Sequence, residues 1–369
     1  MKNRRIAGNA VALLIGLVLA SIAGELVLRG FVTLPLDRVE PEVRYQPHPL
    51  RRFTLIPDQR ANTYGAPVSV DHYGFRLNGS QGRSLESAAP RLLALGDSFT
   101  FGLGVRDEET WPAQLETTLN RAQGMQVEVI NAGTISYGVF QEMDLLRTAG
   151  LRVKPSVVVH GLYWNDFMNA GPPDAGAAPA LNADGYFVWD QLDGDDNSIR
   201  RTLGSFVRRS ALLFSLRQAV SVIRPQQQSS SYAQSYDALL DHGLTPDDWE
   251  HVENFYRELL SLGRENSFDV LVVVMPVNGI ACTAGAVNRA YPREARRLLE
   301  SLQIPFIDGF RLWSEKACGK ETFLPQGPDA HLNQLGYQLI AEAVADWLFQ
   351  SPTVLARMRP GNGRDLQQP

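Results

Sequence analysis

The chain is poor in cysteine. Among 369 residues there are two, Cys282 and Cys318. They lack the spacing and companions of a zinc site. In an exported domain they can form one disulfide; two unrelated thiols are the other reading. Basic stripes with interleaved aromatics are also absent and the net charge is −5, which argues against nucleic acid as a partner. The acidic cluster Asp193 to Asp196 lacks the spaced ligands and closing glutamate of a calcium loop. No metal or organic cofactor is implied. Charged residues make up 20% and hydrophobic ones 44%, so a sizeable core is available and global disorder is excluded.

Long apolar runs are scarce too, and the exception stands at the start. Lys2, Arg4 and Arg5 precede an apolar run from Ile6 to about Ala23, interrupted by Asn9. Basic residues before a single apolar segment keep the N-terminus in the cytoplasm and send the rest across the membrane. An uncleaved signal anchor over residues 1–32 is expected, since no sharp polar region precedes a cut. A cleaved signal peptide, cut at Gly24 after Ser21 and Ala23, and a buried core helix are the alternatives. Residues 33–89 read as a linker and lead-in, because Pro35, Pro41, Pro47, Pro49 and Pro57 forbid long helices.

From residue 90 to 350 the pattern alternates. Strands are expected at Leu92–Leu95, Val127–Ile130, Ser156–His160, Asp269–Met275 and Ile304–Ile307. Helices fall at Glu108–Gln123, Val139–Ala149, Asp247–Leu262, Gly285–Leu302 and Asn333–Phe349. This order predicts a parallel sheet with crossover helices. The strand Asp269–Met275 is the most apolar and is expected at the centre. Residues 168–245 break the pattern as an insertion, either a lid over the site or a surface subdomain. The tail, 351–369, is polar and expected to fray.

Strands of a parallel sheet share one carboxyl edge, so distant loops converge there. Gly96-Asp97-Ser98 follows the first strand, Asn131-Ala132-Gly133 the second, and Trp164-Asn165-Asp166 the third. Asp329 and His331 precede the last helix. An acyl-transfer site needs this inventory: a serine to attack, a histidine to take its proton, a carboxylate to orient the histidine, and donors for the oxyanion. Read alone, Ser98 is an ordinary helix cap. His72, His160, His242 and His251 read as structural, Asp97 as a brace for its turn, and Asp166 as a tie between loops.

In their order and placement these four blocks resemble the SGNH or GDSL hydrolase superfamily, and the anchor and lead-in, with Tyr73-Gly74-Phe75-Arg76, look like its membrane-anchored bacterial members. The resemblance covers about residues 90–165 and 245–350. It implies a three-layer α/β/α flavodoxin-like sandwich with a five-stranded parallel sheet, here behind a transmembrane helix. It implies Ser98 as nucleophile, His331 as base, and Ser98, Gly133 and Asn165 as oxyanion donors. The usual acid lies three residues before the histidine. Pro328 stands there, so Asp329, two residues before, is the acid expected. A Ser–His dyad with Asp329 as a helix cap, or Asp308 as the acid, are alternatives. The third block also has Tyr163 where glycine is usual, which narrows the pocket.

The expected protein is therefore an esterase tethered to the bacterial inner membrane, with its catalytic domain in the periplasm. Its substrate is an O-acyl ester, acetyl above all, on envelope carbohydrate or lipid. An O-acyltransferase of envelope polysaccharide carries identical motifs, and a non-catalytic polysaccharide-assembly protein would retain the fold.

Overall fold

The computed structural model describes residues 2–30, 42–79, 89–123, 126–166, 180–188, 210–213, 215–216, 245–324 and 331–358. Strand β5 (Arg91–Gly96) starts the main sheet, and helix α2 (Ser98–Phe101) follows at once. Next come α3 (Trp111–Gln123), β6 (Glu128–Asn131), α4 (Val139–Thr148) and β7 (Val157–Leu162). After the insertion come α5 (Pro246–Asn266), β10 (Asp269–Val274), α6 (Ala290–Ser301) and β11 (Phe306–Asp308). Three helices close the chain: α7 (Gly309–Lys316), α8 (Gln334–Phe349) and α9 (Pro352–Arg357).

The sheet is parallel throughout and runs β11-β10-β7-β5-β6. Every residue of β5 and β7 is buried, so both faces of the sheet are covered. Helix α3 packs with α8, and α4 with α5. The central strand is β7, not β10 as its apolar sequence suggested. Strands covered on both faces are all apolar, so apolarity separates inner strands from edges but does not rank the inner ones.

The lead-in is more than a linker. It forms two antiparallel hairpins, β1 (Tyr45–His48) with β2 (Arg52–Leu55) and β3 (Arg60–Thr63) with β4 (Ala66–Ser69). Arg76 anchors it. Its guanidinium is fully buried and meets Asp107 Oδ1 at 3.0 Å and the carbonyls of Phe101, Gly102 and Val105 at 2.6–2.8 Å. A buried cation is tolerated because each of the three guanidinium nitrogens donates to an acceptor. These bonds hold the segment that follows the Ser98 turn.

Of the insertion, β8 (Ala180–Leu181) and β9 (Phe187–Val188) dock on the lead-in, where the Phe187 ring stacks 4.0 Å from Tyr45. The acidic cluster Asp193 to Asp196 and His242 lie outside the described residues. The tail reading is corrected at its start. Pro352 opens helix α9, and Val354 and Met358, four residues apart, are buried against the core.

At the other end, α1 is a helix over Lys2–Arg29 with Leu17, Leu19, Leu26 and Val27 exposed. Its Glu25 carboxylate accepts from Ser210 Oγ at 2.7 Å and from the Ala211 and Leu212 amides at 3.0 Å. Among the described residues, no helix is long and apolar enough to cross a membrane.

Candidate active site

The site begins with the sharp exit from β5. Gly96 takes φ 150°, and a Cβ there would collide with the Thr100 hydroxyl. Glycine is therefore required where the chain turns from strand to helix. Asp97, not Ser98, caps that helix: its Oδ1 accepts the Phe99 amide at 2.8 Å. Ser98 is thus released from capping.

Its hydroxyl meets His331. Ser98 Oγ lies 2.8 Å from His331 Nε2 and 3.3 Å from Asp97 Oδ2. One hydroxyl proton serves one acceptor at a time, and the shorter contact selects the imidazole. The two residues are 233 positions apart in sequence. His331 is placed by the segment before α8, where Asn333 caps the helix through the Gly336 amide at 3.0 Å. The Leu324 amide also donates to the His331 carbonyl at 2.8 Å. Just upstream, Cys318 is bonded to Cys282, with Cα atoms 5.5 Å apart. The pairing ties the loop after β10 to the approach of the histidine segment. Pro328 and Asp329 lie outside the described residues. Asp308 has another task, capping α7 through the Phe310 and Arg311 amides at 3.1 Å.

Asn165 reaches the same edge. Its side-chain amide lies close enough to the Asp97 carboxylate, beside Ser98, to favour the charged form of that group. Gly133 is differently engaged: its amide donates to Asn131 Oδ1 at 3.0 Å. The glycine is demanded by packing, since a Cβ would run into the backbone of Thr100 and Phe101. In this geometry the Gly133 amide is tied to Asn131 instead of being open to an oxyanion. The same loop holds Ser136 at φ 64°, a conformation that favours glycine.

An aromatic wall flanks the pair. The Phe99 ring lies 4.5 Å from His331 and 3.9 Å from Tyr163. Behind it are groups that sequence reasoning treated singly. Burial pushes the Asp97 carboxyl up to about 7; the Glu142 charge adds to this, while bonds from Phe99, Asn165 and Ser98 oppose it. Asp166 is raised well above the carboxylate range, by burial first and then by Glu142 and Asp97. Its Oδ2 accepts the Tyr163 amide at 2.7 Å and closes the turn that carries Asn165. His160, fully buried, contacts Glu142 Oε2 at 2.8 Å and the Tyr256 hydroxyl at 2.9 Å. His72 is a surface residue beside Asp58, and His251 is exposed. A cleft of about 700 Å³ at the amino edge of β10, beside Asp269 and Arg357, holds none of these site residues.

Together these features describe a parallel α/β protein with a serine–histidine pair on the carboxyl edge of its sheet. The family model for the GDSL-like lipase/acylhydrolase family matches residues 94–339. The chain belongs to that family of ester hydrolases. No curated protein matches it. Among solved structures it is similar to a lipase/acylhydrolase from Enterococcus faecalis, at 16% identity and TM-score 0.41, covering 74% of this chain and 100% of that one. It is also similar to a catalytic mutant of an acetylxylan esterase from Geobacillus stearothermophilus, at 14% identity and TM-score 0.40, covering 70% and 93%.

Proposed function

We propose that this chain is an exported, membrane-tethered serine esterase that removes short O-acyl groups, acetyl above all, from envelope carbohydrate or lipid. The observation that carries the reading is the 2.8 Å contact between Ser98 Oγ and His331 Nε2. His331 takes the hydroxyl proton as Ser98 Oγ attacks the ester carbonyl carbon. The tetrahedral oxyanion is met by the Ser98 amide and the Asn165 side chain. Collapse releases the alcohol, which carries off the proton held by His331, and leaves an acyl-serine. Water, deprotonated by His331, then releases the carboxylic acid and restores Ser98. Asp329 serves as the carboxylate that orients His331.

The aromatic wall of Phe99 and Tyr163 supports a short acyl group, because it narrows the space beside the nucleophile. Two features support export. The basic residues Lys2, Arg4 and Arg5 at the start of α1 and the exposed apolar side chains further along it suit an anchor in the inner membrane. The Cys282–Cys318 bridge suits an oxidising compartment such as the periplasm.

The test uses the full-length protein in detergent with p-nitrophenyl acetate, alone and with oligosaccharide acceptors. Wild type releases acetate and p-nitrophenol, whereas Ser98→Ala falls to the background rate. Equal inertness of both proteins would overturn the esterase reading. Acetylated acceptor in place of free acetate would make the chain a transferase.

A further inference from the structure

Behind the serine lies a set of ionisable groups that the ester chemistry leaves unused. Glu142 comes from the first turn of α4, His160 from β7, Asp166 from the turn after β7, and Asp97 from the β5–α2 junction. All four are fully buried. Glu142, His160 and Asp166 bring side-chain N or O atoms within 4.8 Å of one another. The other titratable groups facing them are tyrosines: Tyr256 on α5, Tyr291 on α6 and Tyr337 on α8. No arginine or lysine among the described residues forms an ion pair with any of the four.

With all three carboxylates ionised, one imidazole would leave at least two negative charges without a counter-ion, in a place that water does not reach. Buried charge of that kind is removed by binding a proton or a cation. The inventory of atoms decides between them. Both ring nitrogens of His160 are engaged, and Asp166 Oδ2 holds the Tyr163 amide. What remains is Glu142 Oε1 and Asp166 Oδ1, both buried and without a hydrogen-bond partner. Two oxygens are too few for a divalent cation, which takes four or more ligands, but suffice for one shared proton.

We propose that Glu142, His160 and Asp166 are positioning residues of the ester-hydrolysing site, with one proton retained by the buried Glu142–Asp166 carboxyl pair. The pair keeps the Tyr163–Asp166 turn closed, and that turn presents Asn165 to Asp97 and Ser98. Loss of the proton sets two carboxylates against each other and against Asp97, and opens the turn. The inference rests on the esterase reading of Ser98 for its catalytic consequence, though not for the proton itself.

The test has two arms. Infrared spectra of full-length wild type, without substrate, show a protonated-carboxyl C=O band that shifts with isotope-labelled aspartate and is lost in Asp166→Asn. In turnover, Asp166→Ala lowers kcat on the order of 10²-fold with KM within ~3-fold, as for loss of one oxyanion donor. Asp166→Asn recovers most of that loss and removes the fall of kcat at alkaline pH. Absence of the band, or one equivalent of tightly bound metal by elemental analysis, overturns the proposal. So does a purely structural result, in which Ala and Asn variants lose thermal stability alike and kcat not at all. A protein that shows the band but no esterase activity refutes the reading of Ser98 and leaves the shared proton standing.

Discussion

Two histidines approach the same sheet edge, and their surroundings give them opposite roles. His331 is partly exposed and touches a serine hydroxyl; His160 has no exposed surface and touches a glutamate and a tyrosine. Judged by partners alone, Glu142–His160–Tyr256 looks more like a triad than the pair at Ser98. It is sealed, so no substrate reaches it. Catalytic competence follows here from access and from the released hydroxyl of Ser98, not from the number of hydrogen bonds.

Paired substitutions break the comparison most strongly. His331→Gln lowers kcat on p-nitrophenyl acetate on the order of 10⁴-fold and leaves the thermal midpoint near wild type, because it removes the base from the site's mouth. His160→Gln does the reverse in stability. It leaves the buried Glu142 Oε2 without its imidazole partner and costs about 1–3 kcal/mol in a urea titration. Comparable kinetic defects with unchanged stability in both variants would erase the distinction. Asn165→Ala, at the boundary between front and back, drops kcat by about 10²–10³-fold through loss of an oxyanion donor.

Next is the disulfide. It closes a loop with sequence separation 36. Its removal by Cys282→Ser/Cys318→Ser costs about 3 kcal/mol, read by denaturation with and without reductant. The back of the site, far from Cys318 in the chain, keeps its infrared band in that variant.

The smallest effect is one of pH. Asp97 has its folded value raised to about 7 from 3.8. A raised carboxyl contributes stability that is fully present below pH 3.8 and lost as pH rises through about 7. Asp97→Asn therefore flattens the stability curve between those two values. The change is on the order of a few kcal/mol or less, measured by denaturation at matched ionic strength. An unchanged slope would contradict the burial argument.

Much of this site was legible in the chain because its signals are local. The run Leu92–Leu95 followed by Gly96-Asp97-Ser98 marks a strand that ends in a glycine turn carrying the serine. What was hidden depends on long-range partners. Nothing in the sequence near Arg76 names its partners; only the fold surrounds it with four acceptors from Phe101, Gly102, Val105 and Asp107. Glu142 reads as a polar position on a helix, and its meeting with His160 is made only by packing α4 on β7. Gly133 was expected as an oxyanion donor, but what its missing side chain admits is the Thr100–Phe101 backbone. Pro352 and Val354 were taken with the polar tail, although their spacing with Met358 is that of a short packed helix.

The central claim is that Ser98 is the nucleophile. It is tested most directly by treating the full-length protein with a fluorophosphonate and mapping the adduct by peptide mass spectrometry. The account predicts one adduct, on Ser98, that is lost in Ser98→Ala and slowed in His331→Gln. An unlabelled protein, or an adduct on another residue, would contradict it.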